Sequence, residues 1–84
     1  MSEMQVGVIS HYYGKLSVGI IELTEALKVG DTVRIKGMHD DFTQLVDSMQ
    51  IEHAKIQEAK SGDAVGIIVQ KKVHPNDKVY RVVP

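Results

Sequence analysis

Cysteine and tryptophan are both absent from the 84 residues. Without cysteine there can be no disulfide, no thiol catalysis, no iron–sulfur ligation and no cysteine-based zinc site, and the absence fits a reducing compartment. Proline occurs only at Pro75 and Pro84, and no linker or low-complexity tract interrupts the chain. Long apolar runs are missing too. The uncharged stretches Val18–Ile21 and Val65–Val69 are far too short to span a bilayer. Met1–Gln5 carries an acid where a signal peptide has basic residues, and no apolar segment follows. The expected location is therefore cytoplasmic, with no membrane contact. Neither charge is in surplus, since the formal net charge is −1 and the pI about 6.4. RNA affinity rests largely on phosphate neutralisation, so any RNA contact has to come from a local patch.

What remains has the composition of an ordinary soluble domain, 43% apolar and 25% charged. The length fits a single domain spanning residues 1–84. Five runs rich in Val and Ile predict strands: Gln5–His11, Leu16–Leu23, Thr32–Lys36, Ala64–Gln70 and Lys78–Val83. Tyr13-Gly14-Lys15 reads as a hairpin connection, with Gly14 free to take positive φ. A corner recurs three times, as Gly30-Asp31-Thr32-Val33, Gly62-Asp63-Ala64-Val65 and Asn76-Asp77-Lys78-Val79. In each, Gly or Asn suits a left-handed position and Asp can bond nearby amides. Turn-then-strand units at this spacing predict a meandering antiparallel all-β chain closed into a small barrel, which limits exposed sheet edges. One segment fits helix as well as strand. Phe42, Leu45, Val46, Met49 and Ile56 fall near helical spacing, with Asp41 able to cap and Gly62 to stop. The strand alternative sets Leu45, Met49 and Ile51 on one face.

The search for chemistry returns little. The seven glycines match neither phosphate-loop pattern, so the chain binds no nucleotide by itself. His11, His39, His53 and His74 are 28, 14 and 21 residues apart, without the short spacing of a structural zinc site. His39 with Asp40 and Asp41 is the one local group of ligand types, and it reads as a solvated acidic loop. No metal, cofactor or catalytic residue is predicted, and the chain is expected not to be an enzyme. Two loops combine rings with amines: His11, Tyr12, Tyr13 and Lys15, then Lys36, His39, Phe42 and Gln44. Such parts stack bases and hold phosphates, although Tyr12 and Phe42 could equally fill the core. The candidate RNA- or partner-binding residues are therefore His11, Tyr13, Lys15, Lys36, His39 and Gln44. Lys71, Lys72, His74 and Lys78 form the densest basic stretch, which reads as a solubilising face.

Several of these segments resemble a known family. Val6-Gly7-Val8-Ile9, Leu27-Lys28-Val29-Gly30-Asp31-Thr32-Val33, Ala59-Lys60-Ser61-Gly62-Asp63-Ala64-Val65-Gly66-Ile67 and Asp77-Lys78-Val79-Tyr80 follow the skeleton of the second, β-barrel domain of translation elongation factor Tu. His11-Tyr12-Tyr13-Gly14-Lys15, Asp41-Phe42-Thr43-Gln44 and Ser48-Met49-Gln50-Ile51-Glu52-His53 are similar to elongation-factor-like proteins and to the barrel appended to some collagenase-like peptidases. The resemblance covers roughly residues 4 to 83. It implies a small antiparallel, Greek-key-type β-barrel of the translation-factor domain 2 kind, in which Phe42–His53 is strand. It also implies a non-catalytic binding module, associated with tRNA or rRNA. The alternative is an adaptor that supplies a barrel in trans to a larger protein of translation or RNA modification. Val73-His74-Pro75-Asn76-Asp77 departs from the family's basic residue and glycine before the aspartate, so no ligand contact carries over to that turn.

Overall fold

The computed structural model describes residues 2–83, and among them there is no helix, hence none long and apolar enough to cross a membrane. Ten strands follow in order: β1 (Ser2–Tyr13), β2 (Val18–Leu23), β3 (Leu27–Lys28), β4 (Thr32–Lys36), β5 (Asp41–Leu45), β6 (Met49–Ile51), β7 (Ala54–Ile56), β8 (Glu58–Ala59), β9 (Ala64–Ile68) and β10 (Lys78–Val83). Eight form one antiparallel sheet in the order β5-β4-β10-β1-β2-β9-β6-β7, and β3 pairs with β8. Residues 69–77 carry the chain from β9 to β10, across from one side of the β1–β2 hairpin to the other. This is the Greek-key-type crossing of a small barrel.

Alternation explains which face turns inward. Val33 and Ile35 of β4, Ile21 and Leu23 of β2, and Val65 and Ile67 of β9 are buried, and they join Val6, Ile9, Met49 and Val79 in one apolar core. Tyr12 and Phe42 pack half-buried against it. Two irregularities in β1, between Gln5 and Gly7 and between Ile9 and His11, break the register and curl the strand. Gly7 sits at the first, where a Cβ would lie 2.5 Å from the Glu22 carbonyl oxygen. Only a residue without a side chain allows that approach.

The three predicted corners share one geometry. Asp31, Asp63 and Asp77 each accept the amide of the residue three positions earlier, at 3.0, 3.0 and 2.9 Å. Their own amides donate back to the carbonyls of Lys28, Lys60 and His74. Gly30, Gly62 and Asn76 hold φ of 99°, 95° and 77°, the left-handed position this turn requires. The first hairpin differs from expectation. Its positive φ falls on Ser17, at 56°, and not on Gly14, because Leu16 bonds back to Tyr13 and the loop runs through four residues.

Residues 42–60 contain no helix, against the helical spacing, and the strand that the resemblance implied over Phe42–His53 is broken into β5 and β6, with irregular chain between them and a turn after. Leu45 points to solvent, whereas Gln44 is buried, so the expected apolar face was also misplaced. The reason lies in the far side of the barrel. Gln44 Nε2 donates to the Ile68 carbonyl and its Oε1 accepts from the Gln70 amide, both at 2.8 Å. One side chain thereby ties β5 to the end of β9, where the ladder with β6 has already stopped at Ile67.

Candidate functional site

The β4–β5 loop and the corner before β10 build one charged site. Lys36, at the end of β4, and Lys78, at the start of β10, are register partners and both exposed. Like charges set opposite each other on neighbouring strands repel. After Lys36 the chain turns tightly, with the Gly37 amide donating to the Asp40 carbonyl at 2.7 Å. Glycine is required at 37, because a Cβ would collide with Asp77 Oδ1. The turn separates two adjacent acids. Asp41 faces outward and takes both arms of Arg34, at 2.7 and 2.8 Å, and the Arg34 hydrogen bonds hold its carboxyl below the usual range. Asp40 turns the other way, toward the β10 corner.

There His74 Nδ1 donates to Asp40 Oδ2 at 2.7 Å, and the His39 ring stands 5.6 Å from the His74 ring, centre to centre. Asp77 is buried behind them, at 4% exposure. One of its oxygens accepts from the His74 amide, and its side chain also meets the Asp40 carboxyl. Burial disfavours charge on both acids. For Asp40, hydrogen bonds from Asp77 and His74 outweigh that burial and hold the carboxyl below its ordinary value. Asp77, buried and set against Asp40, is pushed up. Beside this cluster opens a cavity of about 640 Å³, lined by Lys36, His39, His74, Asn76, Lys78 and Tyr80 among others. Its polar groups are the Lys36 and Lys78 amines, the His39 and His74 imidazoles, the Asn76 amide, the Tyr80 hydroxyl and the Asp77 carboxyl.

Of the six candidates from the sequence, Lys36 and His39 come together in this cavity. His11 and Tyr13 lie at the far end of β1, their rings 4.3 Å apart edge to face. Tyr13 lines a separate cavity of about 430 Å³ with Leu16, Glu52 and His53, which shares no residue with the first. Lys15 is exposed in the adjoining turn. Gln44 is buried, with its amide engaged to backbone across the barrel. His74, Asp77, Lys78 and Tyr80 were missed as site residues. His74 and Lys78 had been read as part of a solubilising run, and only the crossing before β10 brings that run against His39 and Asp40.

Fold and site define a small antiparallel β-barrel domain with a basic, ring-lined cavity at one corner. No model of a known protein family matches the chain. Over 79 residues it is 38% identical to an uncharacterized protease of Methanocaldococcus jannaschii, a match covering 93% of this chain and 19% of that protein. It is 31% identical over 81 residues to a collagenase of Porphyromonas gingivalis, covering 94% of this chain and 20% of the collagenase. The chain thus spans about a fifth of the length of the curated relatives it matches. Among solved structures, the C-terminal domain of a protein assigned as a U32 peptidase in Geobacillus thermoleovorans superposes with a TM-score of 0.87 at 17% identity, covering 93% of this chain and 91% of that one. The expected similarity to collagenase-like peptidases therefore holds, and the fold is that of such a C-terminal domain.

Proposed function

We propose that this chain is a binding module without catalytic chemistry of its own, acting in the cytoplasm, and that the cavity beside β4 and β10 contacts tRNA or rRNA. The observation that carries the reading is the cross-strand pair Lys36 and Lys78 on the wall of the cavity that also holds His39 and Tyr80. Two amines held side by side repel until an anion lies between them, and a phosphate backbone supplies that anion. Tyr80 and His39 offer faces on which an unpaired base can stack. The resemblance to the second domain of elongation factor Tu points the same way, since that domain helps hold the acceptor end of tRNA. The near-neutral net charge limits the affinity to this local patch.

Fluorescence anisotropy with labelled tRNA, read across a salt series, tests the proposal. Lys36→Ala and Lys78→Ala should each weaken binding and reduce the salt slope by about 1. Equal binding by the double variant and the parent chain would rule this cavity out as the RNA site.

A second reading, the adaptor in trans, is favoured by a different observation. Leu16 and Ile68 are 67% and 61% exposed and line one groove together. Paired exposed aliphatic side chains suit a protein partner better than RNA. A partner recovered from nuclease-treated lysate, and lost on Leu16→Ser, would favour that reading over the first.

A further inference from the structure

We propose that Asp40, His74 and Asp77 form a binding site for a divalent metal ion of the zinc type. The proposal stands apart from RNA or partner binding and does not depend on either. One oxygen of each carboxylate and one ring nitrogen of His74 lie within 4.8 Å of one another. Zinc holds nitrogen and oxygen ligands at about 2.0–2.2 Å, so atoms sharing one ion stand on the order of 3.5 Å apart. His39 belongs to the same short loop as Asp40, and its ring packs beside that of His74.

The two buried acids are what favours a cation here. Asp77 is almost wholly buried, and its hydrogen-bond donor is the His74 amide at 2.9 Å, on Oδ2. Its carboxyl also faces that of Asp40, which is itself only 10% exposed. Two ionised carboxylates facing each other away from water are costly, and either a shared proton or a cation between them removes the cost. A single imidazole carries at most one positive charge, whereas a divalent ion balances both acids. The donor set narrows the choice of metal. Imidazole nitrogen favours zinc and its transition-metal neighbours over magnesium and calcium, and the lack of thiolate disfavours copper(I). The consequence would be mechanical. Asp40 comes from the β4–β5 loop, His74 and Asp77 from the corner before β10, so the ion would clip those two loops together just beyond the Lys36–Lys78 end of the ladder.

The test is titration of chelator-stripped protein with Zn²⁺, and with Co²⁺ as a spectroscopic substitute, followed by calorimetry, visible absorption and thermal melting. One equivalent should bind, Co²⁺ should develop absorption of a four-coordinate site, and a hundredfold excess over Kd should raise the melting midpoint by roughly 10 °C or more. Asp40→Asn and His74→Gln should each lower affinity at least about tenfold. Asp40→Asn retains an acceptor for His74, so the metal-free variant should melt close to the parent and separate loss of binding from loss of fold. Binding that survives both substitutions, or that shifts the NMR signals of His11 and His53 instead of His39 and His74, would overturn the proposal. So would the absence of any zinc-dependent change, which would leave the two acids sharing a proton and nothing else.

Discussion

Gln44 shows how much one polar side chain can contribute to a barrel. In sequence it lies beside Phe42 in a stretch that looks suited to contacting a ligand. In the fold its amide bridges Ile68 and Gln70, joining elements 24 and 26 residues away. Removing it leaves a donor and an acceptor without partners in a partly buried seam. Gln44→Ala should cost about 2 kcal/mol in urea unfolding. Gln44→Met, which keeps the volume, should recover only a small part, because the two hydrogen bonds and not the packing carry the effect. If Met restored full stability, closure would instead be an apolar matter. Gly37 and Gly7 make the complementary point. Their lack of a side chain lets Asp77 and the Glu22 carbonyl approach, and neither need is visible without the partner that does the approaching.

At the level of elements, the hairpin between β6 and β7 is strained by its own sequence. Its two-residue turn places Glu52 at φ 48° and His53 at φ 68°, the left-handed region on both. That is the pattern of a type I′ turn, which Asn-Gly fits far better than Glu-His. Replacing the pair by Asn-Gly should stabilise the domain by about 1 kcal/mol, measured by urea or thermal unfolding. No gain would mean that the Glu52 and His53 side chains make compensating contacts in the cavity they share with Tyr13. The same scale shows what patterning can read. The three Asp corners and the strands Thr32–Lys36 and Lys78–Val83 were legible, because each combines a local turn requirement with a run of β-branched residues. Residues 42–56 were not, since short strands separated by tight turns leave apolar residues at spacings that also suit a helix.

For the whole molecule, β10 is decisive. It lies between β1 and β4, pairing with both, and its Val79 is fully buried in the core. A chain ending at Asp77 would leave two strands with unpaired edges and open the core to water. Such a truncation should lack a cooperative unfolding transition by circular dichroism and calorimetry, and a synthetic peptide of residues 78–84 added in trans should restore one. A folded truncation would show that β1 and β4 can pair directly. The same crossing that inserts β10 also sets His74 and Asp77 against Asp40, so the candidate site depends on the closure of the barrel.

The amino-acid sequence by itself determined the all-β class, the three corners and most of the central strands. Those depend on near neighbours: which residue tolerates positive φ, which carboxylate reaches an amide three residues back, which side chains alternate in and out. Tertiary structure alone decided the inward turn of Gln44, the separation of His11 and Tyr13 from Lys36 and His39, and the meeting of Asp40 with His74 and Asp77. Asp40 and His74 are 34 residues apart in the chain. Only strand order, set by burial of one shared core, brings such distant residues within hydrogen-bonding distance.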